Sequence, residues 1–266
     1  MRGRWLQVWD AAPWLRRLMS DLGRIELIDR STALGAQALL ALIPMLMSLG
    51  VLAPAAWGSG FLDQLGDAIG VREDALQPLK DAVMSHRLAQ TETGYISLVV
   101  AMLSASSFSR AMQRMYARAW DLSKRTGLRA VGISILCLVG WVAMLQTAAA
   151  LLRALTGIPM TGFVQLTILT VTTISLWWWT AHMLLDGLVS WRRLLPGAAL
   201  TGISVVALTQ LSRLFMPAFT RANLEQFGPL GVVFSIGSWL VMLGGVLVVT
   251  TVLGRLVSDL WQPDQA

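Results

Sequence analysis

Few side chains in this sequence could carry out chemistry, and they lie far apart. The two histidines are His86 and His182, and Cys137 is the only cysteine. His182 and Asp186 are four positions apart, so on one helix they would share a face and could relay protons. An interfacial ion pair near Arg192 is the interpretation we prefer for them. The sequence contains no metal-ligand cluster, nucleophile elbow or phosphate-binding loop, so we expect no cofactor, no metal site and no catalytic residues.

A second set of polar side chains lies inside stretches that are otherwise apolar. Polar groups are costly against lipid tails, so we expect this set to face the interior of a helix bundle. An alternative for the arginine of the set is to extend to the outer surface and pair with Glu225. We predict a polar cavity that opens to the cytoplasm and is bordered by Gln37, Ser104, Ser107, Gln210 and Arg213.

The stretches that must position these residues are long enough to cross a membrane. The chain is 55% hydrophobic and 14% charged, with a mean hydropathy of +0.62, whereas soluble domains carry about 25% charged residues. About 20 apolar residues cross the hydrocarbon core as a helix. We therefore predict an all-α, polytopic bundle of six transmembrane helices, within residues 31–53, 93–109, 130–152, 154–185, 194–212 and 226–254.

The remaining segments are predicted to flank or connect these spans. Residues 1–30 combine apolar residues at helical spacing with arginines and tryptophans, which is typical of an amphipathic helix at a membrane interface. Residues 31–257 form the six-span domain, and 258–266 are a short cytoplasmic tail. Residues 54–93 form an acidic extracytoplasmic segment with two short amphipathic helices, which could bind a membrane or extracytoplasmic protein partner.

Lysine and arginine are distributed unevenly between the two sets of connections. Fifteen of them fall on one side and six on the other, and the side rich in positive charge is normally cytoplasmic. Both termini are therefore predicted to be cytoplasmic. Arg110, Arg114 and Arg118 recur every four residues after the second span, so they would share a face and attract anionic lipid headgroups. We expect no nucleic-acid partner, and the oligomeric state is not predicted.

Prolines and small residues give local signals within the spans. Pro44 lies inside the first span and predicts a kink there. Pro196 and Gly197 predict the start of the fifth helix, because proline is favoured in a first helical turn. Gly231 and Ser235 are four residues apart in the sixth span, a spacing that lets helices pack closely.

Four stretches of the chain are similar to a known family. They are ALGAQALLALIPMLM at 33–47, TGYISLVVAMLSASSFSRAMQRMYARAW at 93–120, WRRLLPGAALTG at 191–202 and FGPLGVVFSIGSWL at 227–240. In this order and spacing they resemble the YihY/BrkB family of bacterial inner-membrane proteins, formerly labelled ribonuclease BN. The resemblance implies a six-helix fold in the bacterial cytoplasmic membrane.

Two functions from different classes are compatible with this sequence. One is a transporter or flippase that handles a lipid-like or amphipathic cargo, and the other is a non-transporting membrane scaffold or assembly factor. A polar cavity shared by the first, second, fourth and fifth spans would favour transport, and a solidly packed bundle would favour the scaffold. Ribonuclease activity such as tRNA processing is disfavoured because the sequence lacks a catalytic constellation, and we expect that the protein is not an enzyme.

Overall fold

The described part of the chain is helical. The structure, a computed structural model, describes residues 20, 21, 23, 26–52, 77, 93–122, 132, 136, 140 and 162–261, and these residues contain no strand. Five long helices are present among them: α1 (Leu27–Leu52), α2 (Thr93–Ala119), α3 (Gly162–Leu184), α4 (Trp191–Phe227) and α5 (Pro229–Trp261). The all-α prediction is confirmed for this part of the chain.

Two of the described helices are long and apolar enough to cross a membrane, namely α4 and, within α5, Leu230–Trp261. Large apolar side chains cover the outer surface of these helices and of α3: Phe163, Leu214 and Leu230 are each about three-quarters exposed, at 76%, 79% and 74%. Water-soluble proteins rarely expose extended apolar surface, so a lipid environment accounts for this distribution. The count of six spans stays a prediction.

Several predicted segments lie wholly or mostly outside the described residues. These are residues 1–19, the acidic segment 54–93 apart from residues 77 and 93, most of the third span, and 262–266. Within the third span, Gly132, Leu136 and Gly140 are helical. Gly140 lies against the ring of Trp179 in α3, where an added Cβ would overlap the ring. The third span therefore packs on α3 at this position.

The described helices pack in the order α3, α4, α5, α1, α2, each mainly against its neighbours in this order. α1 and α4 begin at one end of the bundle, where α2, α3 and α5 end. A hydrophobic core gathers at that end and includes Leu34, Met115, Trp177, Leu194 and Val248. We call it the closed end. It is the end that the charge distribution predicts to be cytoplasmic.

Four of these helices extend further than the apolar runs predict, among them α5, which continues past residue 254 to Trp261. α1 begins at Leu27, before the predicted start of the first span, and α2 continues to Ala119, beyond residue 109. α4 has 37 residues and continues past the predicted limit at Ser212 to Phe227. Hydropathy identifies only the part of a helix that contacts lipid. An apolar run therefore stops at the first charged residue, even where the helix continues beyond it.

The turns before and after α4 contain residues with positive φ, namely Asp186 and Gly187 before the helix and Gly228 after it. Gly228, with φ of 59°, ends α4 and donates its N–H to the Leu224 carbonyl at 2.9 Å, and Pro229 then begins α5. Proline is favoured at the first position of a helix.

The expectation for Pro196 is wrong in detail: because α4 starts at Trp191, this proline lies in the second turn and not in the first. Pro44 lies within α1, whose helix continues to Leu52.

Candidate functional site

The predicted cavity residues that the structure describes lie at one level of the bundle. On α1, Gly35 contacts Val241 of α5, and Gly237 of α5 approaches Leu39 of α1. Gln37 lies between these two contacts, so it is level with residue 239 of α5. Trp239 in turn donates its indole N–H to the Ser212 hydroxyl of α4 at 2.6 Å. The sequence of α4 then places Gln210 and Arg213 within about one turn of this level.

Helix α2 reaches the same level. Arg118 of α2 bonds Glu26, which precedes α1, at 3.3 Å. The two helices run in opposite directions. Gln37 lies eleven residues after Glu26, and Ser107 lies eleven residues before Arg118, so the two residues are at the same height in the bundle. The side chain of Ser104 is outside the described part of the structure. We call the set Gln37, Ser107, Ser109, Gln210 and Arg213 the polar level.

Two buried oxygen atoms of the polar level have no hydrogen-bond partner. They are Gln37 Oε1 on α1 and Ser109 Oγ on α2. An unsatisfied buried polar group costs about 1–3 kcal/mol. Both atoms therefore would gain from a polar group between the helices, such as a water molecule or part of a ligand.

The other members of the polar level have local partners. Ser107 Oγ donates to the Leu103 carbonyl at 3.0 Å and accepts from Arg110 at 2.9 Å. Arg213 is exposed and donates to Gln210 Oε1 at 3.3 Å. The predicted partner of Arg213, Glu225, is exposed as well, and their pairing stays a prediction.

His182 and Asp186 are not arranged as two residues of one helix. α3 ends at Leu184, where Gly187 N–H bonds the His182 carbonyl and Asp186 N–H bonds the Met183 carbonyl. This is a Schellman cap, and Asp186 takes its left-handed position with φ of 54°. Helical spacing therefore does not extend to Asp186, and the expectation of a shared helical face is wrong for this pair.

The His182 ring instead joins the turn between α3 and α4. Its Nδ1 lies 3.2 Å from the Val189 carbonyl, and the ring stacks on Trp191 with centroids 4.0 Å apart. Trp178 donates its indole N–H to the Trp191 carbonyl at 2.7 Å. Tryptophans are enriched at membrane interfaces, so this cluster suits the boundary position that the sequence predicted for it.

The basic row on α2 has three different environments. Arg110 is exposed and bonds Ser107, Arg114 is half-buried, and Arg118 is engaged with Glu26. All three arginines retain exposed surface, and Arg110 and Arg118 are the more exposed, so they have the access that binding of a lipid headgroup requires. The predicted binding of headgroups itself stays a prediction.

Sequence reasoning missed an ionic network at the closed end, which we call the ionic clamp and define as Asp121, Arg193, Arg255 and Asp259. Arg255 lies 2.7 Å from Asp121 and 3.6 Å from Asp259, and Arg193 lies 2.8 Å from Asp259. Arg255 also donates to the Ala119 carbonyl at the end of α2, at 2.7 Å. The clamp thus connects α2, α4 and α5. The only local sequence pattern that indicates this network is the spacing of four residues between Arg255 and Asp259.

Helices α4 and α5 are joined along their length by buried polar contacts. Thr201 bonds Thr250 at 2.8 Å, Trp239 bonds Ser212, and Asn223 donates to Ser235 at 3.0 Å. The predicted close packing at Gly231 and Ser235 is confirmed, because Gly231 lies against the Asn223 backbone. The α4–α5 pair is therefore a rigid unit that supports the polar level.

The comparisons with known proteins agree with the resemblance seen in the sequence. A family model described as "Virulence factor BrkB" matches residues 18–262, which include all five described helices. No curated protein and no solved structure matches the chain. Among the residues that the structure describes, no group of three or more His, Cys, Asp or Glu could hold a metal ion.

Proposed function

Because the chain belongs to the Virulence factor BrkB family and is a membrane protein of the YihY/BrkB type, we propose that it transports a lipid-like or amphipathic cargo across the bacterial cytoplasmic membrane. The cargo's polar part passes the polar level, between α1, α2 and the α4–α5 pair. Its apolar part stays against the lipid-facing side chains. The protein acts as a transporter or flippase and not as an enzyme.

The observation that carries this proposal is the pair of unpartnered oxygens, Gln37 Oε1 and Ser109 Oγ. A helix bundle that only had to be stable would do better with apolar side chains at these two positions, because leaving a buried polar group unsatisfied costs more than replacing it. Intramembrane polar groups are commonly retained where they line a path for a substrate. Gln37 Oε1 can therefore accept a hydrogen bond from a hydroxyl or amine of a headgroup, and Ser109 Oγ can donate or accept.

The charges near the polar level favour an anionic cargo. Arg110 lies one turn beyond Ser107, and Arg213 is exposed on α4. Both cations are accessible, and arginine binds phosphate and carboxylate groups through paired N–H donors. Anionic lipid headgroups are the partner class that we propose for this protein.

Gln37→Leu should separate transport from stability. We expect the rate of lipid-analogue translocation in proteoliposomes to fall about tenfold or more, because loss of one contact of about 1.4 kcal/mol changes a rate tenfold. The midpoint of thermal unfolding in detergent should stay the same or rise, since leucine removes an unsatisfied polar atom. The matched control is Gln165→Leu, which makes the same change at an exposed glutamine of α3.

Either of two results would contradict the proposal. Wild-type protein that moves no lipid analogue or amphipathic solute under any gradient would favour a scaffold or assembly factor instead. That alternative is supported by the close α4–α5 packing, and it would use the acidic segment 54–93 to bind a membrane or extracytoplasmic protein. Translocation by Gln37→Leu at the wild-type rate would show that the polar level is not on the path.

The proposed orientation has its own test. With Cys137 replaced, single cysteines at Ser59 and Gln90 should react with a membrane-impermeant thiol reagent in intact cells, whereas a cysteine at Ser123 should react only after the cells are opened. The reason is that the positive-inside rule places residues 54–93 outside and residues 110–129 inside. Labelling at position 123 in intact cells, with none at 59 or 90, would reverse the orientation.

A further inference from the structure

We propose that the ionic clamp is a gate at the closed end, which opens to admit cargo to the polar level between α2 and the α3–α4–α5 group. The inference deepens the proposed transport function and rests on it for its purpose. Its geometry and its test do not depend on the cargo.

Helix α2 is the element that the clamp holds. Its backbone lies closest to α1, and it meets α3 and α5 mainly through the side chains of the closed-end core. Where it ends, Arg255 of α5 bonds both the Ala119 carbonyl and the Asp121 carboxylate at 2.7 Å. One arginine, six residues before the end of α5, therefore ties the last backbone turn of α2 and its cap to α5.

A second contact reinforces this connection from α4. The guanidinium group of Arg193 lies over the Trp120 ring, 5.6 Å from its centroid, while the same group bonds Asp259 at 2.8 Å. A cation over a tryptophan face is attracted to it. Three helix ends thus converge on two arginines.

The backbone conformation at the end of α2 aims Asp121 at Arg255. Leu122 N–H bonds the Ala117 carbonyl at 2.8 Å, and Asp121 N–H bonds the Arg118 carbonyl at 3.3 Å. These two bonds form a Schellman cap in which Asp121 occupies the left-handed position with φ of 51°. Glycine is favoured there, so the carboxylate is present at a position where the backbone conformation alone would prefer no side chain.

The clamp has the properties that a reversible contact requires. The side chains of Arg255 and Asp121 are 26% and 49% exposed, so water can solvate both when they separate. Partly exposed ion pairs break at little cost, whereas a fully buried pair would leave uncompensated charges. Beneath the clamp, Met115 and Tyr116 of α2 belong to the closed-end core. In the structure the end is closed, and no other described ion pair joins α2 to α5.

The test uses Asp121→Gly, which removes the carboxylate and retains a backbone that accepts positive φ. The reporter is Ser109→Cys in a protein whose Cys137 is replaced by serine, in inside-out membrane vesicles. Residue 109 lies ten residues inside the end of α2, about 15 Å away. The matched control is Asp186→Gly, the same change at the same cap position of α3, where the carboxylate is not part of the clamp.

We expect Asp121→Gly to raise the labelling rate at position 109 about two- to fivefold, which corresponds to about 0.4–1 kcal/mol in the closed–open equilibrium. Asp186→Gly should label at the wild-type rate. Arg255→Gln should accelerate labelling at least as much, because it also weakens the contacts of Arg255 with the Ala119 carbonyl and Asp259, and it tests the clamp if Asp121→Gly is poorly expressed. Equal labelling of wild type and both clamp variants would overturn the inference, and so would equal acceleration by Asp186→Gly. Because no cargo is added, a negative translocation assay would not change this result.

Discussion

Replacing Gly254 with alanine should leave little folded protein, whereas Gly197→Ala should be tolerated. The two glycines face each other where α4 crosses α5. A Cβ added at Gly254 would overlap the Cα of Gly197, but a Cβ added at Gly197 would sit 3.5 Å from the Cα of Gly254. The first change therefore creates a collision between backbones, and the second creates an ordinary van der Waals contact.

The expected loss of stability depends on whether the atoms that the new methyl group meets can move aside. Overpacking a core costs about 1–3 kcal/mol when side chains can adjust. At Gly254 the obstacle is a helix backbone that is itself held by the Thr201–Thr250 hydrogen bond. We expect a loss above about 3 kcal/mol for Gly254→Ala, and for Gly197→Ala a change within about 0.5 kcal/mol, as for a tolerated substitution.

The measurement is the yield of monodisperse protein in detergent together with the midpoint of thermal unfolding. Gly197→Ala is the matched control, because it adds the same methyl group to the opposite side of the same crossing. Equal behaviour of the two variants would show that α4 and α5 do not cross at these residues. Alanine is the better helix former by about 1 kcal/mol, so a neutral result at Gly254 could not arise from helix propensity alone.

The helices could be predicted from the sequence because lipid imposes one simple rule. Apolar runs of about 20 residues must be helical to satisfy their backbone in a membrane, and α1, α3, α4 and α5 follow such runs, whereas α2 follows the shorter uncharged run 93–109. Their ends could not be predicted in this way. In α4, Arg213 and Arg221 interrupt the apolar run without ending the helix, which stops only where Gly228 and Pro229 change the backbone conformation.

The candidate site could be predicted only in part. Polar groups are costly against lipid, so Gln37 can be singled out from its place in an apolar run. The same signal does not hold for Gln165, which lies in such a run and is exposed on α3. The lack of a hydrogen-bond partner for Gln37 Oε1 depends on how α1, α2 and α5 are aligned, and no local sequence pattern predicts that alignment. The ionic clamp was missed for the same reason, since Asp121 and Arg255 are 134 positions apart in the chain.

The expectation that His182 and Asp186 share a helical face is wrong for a reason that the local sequence shows, while a pairing between the two side chains stays a prediction. Asp-Gly pairs favour turns, because both residues tolerate positive φ. Asp186 and Gly187 form such a turn at the end of α3. Helical spacing therefore does not hold across this residue pair, which ends the helix.

Ser212→Ala should destabilise the protein by about 1–3 kcal/mol, which is the cost of a buried donor without an acceptor. Ser212 is fully buried, and its hydroxyl accepts the Trp239 indole N–H at 2.6 Å while donating to the Leu208 carbonyl. Alanine fills nearly the same space but cannot accept. Because the contact lies between α4 and α5 within the apolar part of both helices, water is poorly placed to replace the lost oxygen.

A double-mutant cycle with Trp239→Phe isolates this effect. Phenylalanine carries no N–H, so in its presence Ser212→Ala leaves no orphaned donor and should cost less than about 0.5 kcal/mol. The difference between the two backgrounds is the coupling energy. Ser175→Ala on α3 is the control, because its hydroxyl bonds only the Val171 carbonyl of its own helix among the described contacts. If Ser212→Ala costs the same with tryptophan or phenylalanine at position 239, the indole N–H does not depend on Ser212, and the proposed link between α4 and α5 at the polar level is wrong.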